Sequence, residues 1–134
     1  MKKFLILSSI LVVLCSCKKP EPDSKGMLPQ KVALQAHKLM QEGKYEDAKK
    51  FYSKSYIEEQ TSSKYSFEKH LKESIKEFQK SEFVEGSASP SKNSSRIWIV
   101  EIKVKGGKPV DAIVLNMALL NGEWKIVTWK EIEG

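Results

Sequence analysis

The fold is decided by one stretch, residues 96–132, which reads RIWIVEIKVKGGKPVDAIVLNMALLNGEWKIVTWKEI. Apolar residues dominate three runs of this stretch, and turn residues separate the runs, a pattern typical of β-strands. Asn121 and Gly122 lie between two of the runs, and both tolerate the positive φ angles of a type I′ hairpin turn. The stretch therefore predicts three antiparallel strands, joined by a G-G-K-P bend at residues 106–109 and by the Asn121-Gly122 turn.

The two turns impose one consistent register. The predicted cross-strand pairs are Trp98–Met117, Val100–Leu115, Ile102–Ile113, Met117–Ile126, Leu119–Trp124 and Leu115–Thr128. Nine apolar residues then share one face of the sheet, namely Trp98, Val100, Ile102, Ile113, Leu115, Met117, Leu119, Trp124 and Ile126. Because side chains alternate along a strand, a slip of one residue would scatter this set. We predict that this face is the core face.

The sequence before the strands predicts helices. Pro29 suits a first helical turn, Gly43 suits a helix end, and Ser66 suits an N-cap. Three apolar stripes follow helical spacing: Val32, Ala36, Leu39 and Met40; then Ala48, Phe51, Tyr52, Ser55 and Tyr56; then Phe67, Leu71, Ile75 and Phe78. Residues 80–85 suit a first strand, and the polar run 86–95 suits a flexible loop. The fold class predicted is α+β, with N-terminal helices packed on a curved antiparallel sheet of three to four strands.

The start of the chain predicts export. Lys2 and Lys3 precede an apolar run of about a dozen residues, which fits a secretory signal and is too short to span a membrane. Residues 14–17, L-C-S-C, resemble the lipoprotein box of bacteria, in which the cysteine is lipidated and becomes the new N-terminus. We predict a signal peptide at residues 1–16 and lipidation at Cys17, with palmitate among the attached acyl chains. The competing interpretation is an ordinary secretory signal that leaves a free thiol.

Lipidation would place the domain in the bacterial cell envelope or periplasm, held to the inner or the outer membrane by acyl chains alone. With Cys17 acylated, the mature chain has no thiol left for a disulfide or for a metal site. Residues 17–27 are polar and rich in proline, and they predict a tether ahead of a single domain at 28–134. Lys18 and Lys19 suit either contact with anionic head groups or simple solvation.

Two short patterns in the domain are x-G-x-Y-x-x-A and G-x-W-K-I. The residues that carry them are Gly43, Tyr45, Ala48, Gly122, Trp124, Lys125 and Ile126. They resemble small bacterial lipoproteins of the nuclear-transport-factor-2-like (NTF2-like), or cystatin-like, superfamily. That resemblance implies a cone-shaped fold with a pocket between helices and sheet. The first pattern, together with Tyr52, also resembles one tetratricopeptide unit, but no second copy follows.

Enzymes of this superfamily use an Asp, His or Tyr that projects into the pocket. Here His37 and His70 are predicted at the rims of their helical stripes, and Asp111 is predicted to be solvated beside a turn. The sequence offers no buried carboxylate, metal-ligand spacing or phosphate-binding loop. We therefore predict no catalysis, no cofactor and no metal. The candidate residues for a small hydrophobic ligand are Tyr52, Tyr56, Trp98, Trp124 and Thr128, with core filling as the competing interpretation.

The opposite face of the sheet is also apolar. Its members predict a partner surface, such as a homodimer contact, unless the linker or the loop after Glu85 covers it. They are Ile97, Ile99, Val114, Val127 and Trp129.

The net charge of the chain is +6, and 21 bases against 17 acids remain without Lys2 and Lys3. This mild excess is no nucleic-acid signature.

The function we expect is therefore that of a lipid-anchored, non-catalytic binding or interaction domain. The alternatives are an isomerase- or dehydratase-like enzyme of the same fold and a tetratricopeptide-like adaptor.

Overall fold

The computed structural model describes residues 18–106 and 111–128. In this part of the chain, helices α1 (Pro29–Gln41), α2 (Tyr45–Lys49), α3 (Lys54–Glu59) and α4 (Phe67–Ile75) precede a 3₁₀ turn, Lys76–Phe78. Strands β1 (Glu82–Pro90), β2 (Trp98–Lys105), β3 (Ala112–Leu120) and β4 (Glu123–Ile126) then form one antiparallel sheet in the order β1-β2-β3-β4. Helix α1 packs on β1, β2 and β4. The predicted α+β class is confirmed.

The predicted register of the sheet is confirmed for five of its six pairs. Asn121 and Gly122 have φ angles of 51° and 81°, as a type I′ turn requires. Strand β4 ends at Ile126, so the predicted Leu115–Thr128 pair lies just beyond it. The ladder nevertheless continues for one more bond, because the Val127 N–H donates to the carbonyl of Asn116 at 2.9 Å. The bend at residues 107–110 lies outside the described residues.

The core lies between this face and the helices. Six of the nine predicted core residues are fully buried. Ile113 and Leu115 are half-buried because they line a cavity, and Leu119 is 41% exposed at the hairpin end. In the predicted stripe, Phe67, Leu71 and Ile75 are buried, whereas Phe78 is half-buried in the 3₁₀ turn. Ser66 caps helix α4 by accepting the N–H of Lys69 at 3.1 Å.

The second predicted helix is wrong in one respect: it is broken in two. Between α2 and α3 the chain runs beside β4, where the Ile126 N–H donates to the carbonyl of Phe51 at 2.8 Å. The Ser53 N–H donates back to the carbonyl of Ile126 at 2.9 Å. Ser53 then caps α3 by accepting the N–H of Tyr56. A continuous helix would leave these sheet bonds unmade, so the pairing with β4 overrides the helical pattern.

Strand β1 is longer than predicted and contains the first half of the expected loop, residues 86–90. Its pairing with β2 continues to Pro90 and shifts register between Glu85 and Ala88. Within this bulge, a Cβ built on Gly86 would lie 2.1 Å from the carbonyl oxygen of Glu101. The glycine therefore permits a close approach of two strands, whereas its polar neighbours had predicted a flexible loop.

Some of the polar residues before α1 pack against the β3–β4 hairpin. We call residues 21–27 the strap. Its Asp23 carboxylate accepts the backbone N–H groups of Lys25 and Met27 at 2.9 Å and that of Trp124 at 3.4 Å. Partial burial alone would raise the pKa of Asp23, but these three hydrogen bonds outweigh it and lower that pKa. The strap is thus ordered structure rather than a free tether, while the predicted signal peptide and Cys17 lie outside the described residues.

The alanine substitution Gly86→Ala should destabilise the fold by at least about 2 kcal/mol, because the new Cβ would force two paired strands apart. Urea unfolding followed by circular dichroism measures the change. Ser87→Ala alters an exposed neighbour in the same bulge and should cost less than about 0.5 kcal/mol. Equal unfolding midpoints for the two variants would contradict the close approach at Gly86.

Candidate functional site

A cavity of about 250 Å³ lies between the helices and the core face of the sheet. We call it the central cavity. Helices α1 and α4 each contribute residues one turn apart, and β3 contributes two residues that face the same side. Its lining residues are His37, Met40, Tyr52, Tyr56, His70, Ser74, Ile75, Phe78, Ile113 and Leu115. The cavity is therefore mostly apolar and aromatic, with a few polar groups placed on its walls.

Tyr56 and His70 form a polar pair on the cavity wall. The Tyr56 hydroxyl lies 3.5 Å from Nε2 of His70, and the two ring centroids are 5.9 Å apart. Burial raises the pKa of Tyr56 and lowers the pKa of His70. Both side chains are therefore uncharged near neutral pH, and the Tyr56 hydroxyl can donate to the imidazole.

Tyr52 forms the aromatic base of the same wall. It is 6% exposed, its ring packs edge-on against Phe67 at 5.2 Å, and it lies 4.9 Å from the ring of Tyr56. Its hydroxyl donates to Sδ of Met40 at 3.4 Å, a weak acceptor. Burial, and to a smaller degree Tyr56, raises the pKa of Tyr52 strongly, so this hydroxyl stays protonated.

His37 is buried in the middle of the inward face of α1, not at its rim as predicted. It is 5% exposed, and its ring meets Phe83 edge-on at 5.8 Å. Nδ1 lies 2.9 Å from the carbonyl oxygen of Ala33 and must carry the proton, since a carbonyl only accepts. Burial lowers the pKa of His37, so the ring is neutral and its Nε2 keeps a free lone pair.

The pKa shifts of the two histidines and the two tyrosines share one physical cause, which is removal of the side chains from water. Desolvation penalises the charged form of each of the four titratable side chains in the central cavity. No aspartate or glutamate is among the described residues that line it. The cavity is therefore an uncharged environment that offers hydrogen-bonding groups, and it suits a neutral ligand better than an ion.

The predicted ligand residues separate into two groups. Tyr52 and Tyr56 line the central cavity, whereas Trp98 and Trp124 do not. The two indoles pack edge-on, with ring centroids 6.5 Å apart, beneath a second opening of about 320 Å³. We call it the tryptophan cleft; its lining residues are Lys18, Lys19, Glu21, Ser95, Arg96, Trp98, Leu119 and Trp124. Thr128 is half-buried, lines neither space, and has a buried Oγ1 with no hydrogen-bond partner in the described chain.

Sequence reasoning missed three polar members of the cavity, His37, His70 and Ser74. The signal for His37 was present, since it lies four residues after buried Ala33 and three before buried Met40. His70 and Ser74 share one face of α4 by their spacing of four residues. What the sequence could not supply is the opposite wall, because the break between α2 and α3 brings Tyr56 to His70.

The structure buries two of the five residues predicted for the partner face. Ile97 and Val127 are 1% and 3% exposed and pack with Ala118 in a second small apolar cluster. Ile99 is half-buried, and Val114, at 62%, is exposed. Among the described residues, the accessible part of the predicted face is therefore Val114 with half-buried Ile99, and Trp129 lies outside the described residues.

A larger groove of about 780 Å³ runs between the α2–α3 region and the β3–β4 hairpin. It carries charges of both signs: Lys49, Lys50, Lys54 and Lys125 line it together with Glu46, Glu58 and Glu123. Several of these lysines already have acidic partners, as in the pair Lys54–Glu58 at 4.0 Å. Because the groove carries both positive and negative side chains, it favours neither anionic nor cationic ligands. The central cavity is therefore the better candidate site.

Within residues 18–106 and 111–128, no three His, Cys, Asp or Glu side chains cluster closely enough to hold a metal ion. The helices in the same ranges include none with the length and apolar character needed to cross a bilayer. Comparison of the chain with protein-family models, with curated proteins and with solved structures found no match. The NTF2-like resemblance therefore stays a prediction from the sequence patterns.

Acid should destabilise the fold through His37. Its folded-state pKa is lowered from the ordinary value of 6.5, so the unfolded chain binds the proton first as the pH falls. Stability should be complete above pH 6.5 and decrease below it, by no more than about 1.4 kcal/mol per pH unit for this group. Urea unfolding at a series of pH values measures this slope.

His37→Gln keeps a donor for the Ala33 carbonyl and should flatten the slope below pH 6.5. His70→Gln is the matched control, because His70 is only partly buried and should contribute a smaller share. Parallel pH profiles for the wild type and His37→Gln would contradict this role of His37.

Proposed function

We propose that the chain is a lipid-anchored protein of the bacterial cell envelope whose domain binds a small, uncharged, largely apolar ligand without transforming it. The observation that carries this proposal is the central cavity, whose aromatic and aliphatic walls hold four titratable groups in their neutral forms. The envelope location is supported by the L-C-S-C pattern at residues 14–17.

The polar groups of the cavity define what such a ligand should contain. The free Nε2 lone pair of His37 can accept a hydrogen bond from a ligand hydroxyl or N–H group. The Tyr56–His70 contact, at 3.5 Å, is long enough for a ligand oxygen to compete for the Tyr56 hydroxyl. A volume of about 250 Å³ falls below the usual range for drug-sized ligands, so we expect a small molecule or the end of a longer one.

An enzyme of the same fold remains the second candidate, because a Tyr–His pair faces the cavity. Neutral His70 is a chemically competent general base, and the Tyr56 hydroxyl is a potential acid or oxyanion donor. The pair lacks a neighbouring carboxylate to orient the imidazole among the cavity residues. The adaptor alternative gains no support from the fold, because the helices and β4 share hydrogen bonds and one core.

The lipid anchor is tested by substituting its cysteine. In a bacterial host, Cys17→Ser should abolish incorporation of labelled palmitate and move the protein from the membrane to the soluble fraction. Cys15→Ser is the matched control, because it lies two residues away in the same pattern and should retain both properties. Equal labelling of the wild type and Cys17→Ser would contradict lipidation at this residue.

The ligand site is tested by filling the cavity. Leu115→Trp adds bulk at the cavity wall, so native mass spectrometry of protein purified from its own envelope should show less than a tenth of the wild-type ligand occupancy. Val114→Trp adds the same bulk on the opposite, exposed face and should leave occupancy unchanged.

Thermal unfolding would show that both tryptophan variants are folded. A ligand that persists in Leu115→Trp, or its absence from wild-type protein, would count against the central cavity as a binding site. A ligand that is bound and also chemically altered, with turnover lost in His70→Gln, would favour the enzyme.

A further inference from the structure

The end of the domain around the Asn121-Gly122 turn is tied to the strap. The indole N–H of Trp124 donates to the carbonyl of Glu21 at 2.8 Å, and the Ser24 N–H donates to the carbonyl of Gly122 at 2.8 Å. Lys25 and Glu123 form an ion pair at 3.1 Å across the same contact. Four residue steps separate Glu21 from Cys17, which limits the distance between their Cα atoms to about 14 Å. A lipid on Cys17 would therefore hold this end of the domain near the bilayer.

The tryptophan cleft opens at this end, and it is basic. Lys18, Lys19 and Arg96 line it against a single acidic residue, Glu21. No ion pair joins any of the three cations to another residue in the described parts of the chain. Lys18 and Lys19 come from the N-terminal segment and Arg96 from the loop before β2, so the fold assembles the charge from distant parts of the sequence.

An apolar side chain accompanies these charges. Leu119 lines the cleft and is 41% exposed, although its neighbours Trp98 and Trp124 are buried beneath it. The register explains this position, because Leu119 lies opposite Trp124 at the hairpin end, beyond the helices. An exposed leucine beside unpaired cations is the combination that suits the boundary between head groups and acyl chains.

From this geometry we infer that the tryptophan cleft docks on the anionic phospholipid surface of the membrane that anchors the chain, so that the domain lies on the bilayer in a fixed orientation. The inference rests on the proposed lipidation of Cys17. Lipid head groups would pair with Lys18, Lys19 and Arg96, and Leu119 would contact the interface. The far end of the sheet, at Lys105, would point away from the membrane.

The test uses the full lipidated chain in vesicles of phosphatidylcholine, alone or mixed with phosphatidylglycerol. Because the predicted mature chain has no cysteine except the acylated Cys17, a fluorophore can be placed at Ser95→Cys, in the cleft. Lys105→Cys at the other end of β2, about 23 Å along the strand from Trp98, is the reference position. A quencher attached to lipid head groups should quench the label at position 95 more than the label at position 105, and this difference should be larger on anionic vesicles than on phosphatidylcholine alone.

Charge substitutions separate docking from anchoring. Arg96→Glu is far in sequence from the lipidation pattern and should lower the ratio of docked to undocked protein at least about fivefold. Lys64→Glu makes the same charge change on the exposed turn before α4 and should leave that ratio unchanged. Asp23→Ala, which removes the three hydrogen bonds that the Asp23 carboxylate accepts, should reduce the quenching at position 95 while the protein still floats with the vesicles.

The possible failures are distinguishable. A wild-type chain that does not float with vesicles would overturn the lipid anchor and the docking with it. A chain that floats but shows equal quenching at positions 95 and 105 would overturn the docking alone. An equal decrease in the ratio of docked to undocked protein in Arg96→Glu and Lys64→Glu would do the same.

Discussion

Two hydrogen bonds made by Ile126 pair strand β4 with the segment between helices α2 and α3. One edge of strand β4 pairs with β3. At its other edge, Ile126 forms hydrogen bonds with the carbonyl of Phe51 and with the N–H of Ser53. Because these bonds interrupt the helical region, Tyr52 faces the core and Ser53 caps helix α3, which begins at Lys54. The same interruption brings Tyr56 within reach of His70. Without this pairing, the central cavity would lose its aromatic wall.

The parts of the fold that could be predicted are those governed by local rules. The strand register followed from Asn121-Gly122 and from apolar spacing, two signals that agree because turn geometry and burial act on the same ladder. Helix α4 followed from the cap at Ser66 and from its stripe. The parts that were missed depend on distant partners: the helix break on Ile126, the extended β1 on the backbone of Glu101, and the ordered strap on Trp124. No local pattern in residues 51–53, 86–90 or 21–27 encodes those contacts.

The candidate site was predicted only in part for a related reason. The sequence identifies the aromatic residues as candidates by their chemistry. Whether an aromatic side chain lines a cavity depends on which helices and strands pack against each other. Tyr52 and Tyr56 share a cavity with the histidines of α1 and α4, whereas Trp98 on β2 and Trp124 on β4 lie together at another end of the sheet. The rim assignment of His37 failed because a stripe read from apolar residues alone ignores that a neutral imidazole can be buried when its own helix carbonyl accepts its proton.

The bulge at Gly86 has a consequence for the open edge of the sheet. If the proposed lipid on Cys17 anchors the chain, neighbouring domains share the plane of one membrane, where an open strand edge can recruit another chain. The edge beside β4 is occupied by Phe51 and Ser53, which leaves β1 as the unpaired edge among the described strands. The bulge disturbs the regular spacing of that edge, and Pro90 ends it without a donor. The glycine that lets two strands approach within one molecule should therefore also oppose polymerisation of the anchored protein through its sheet.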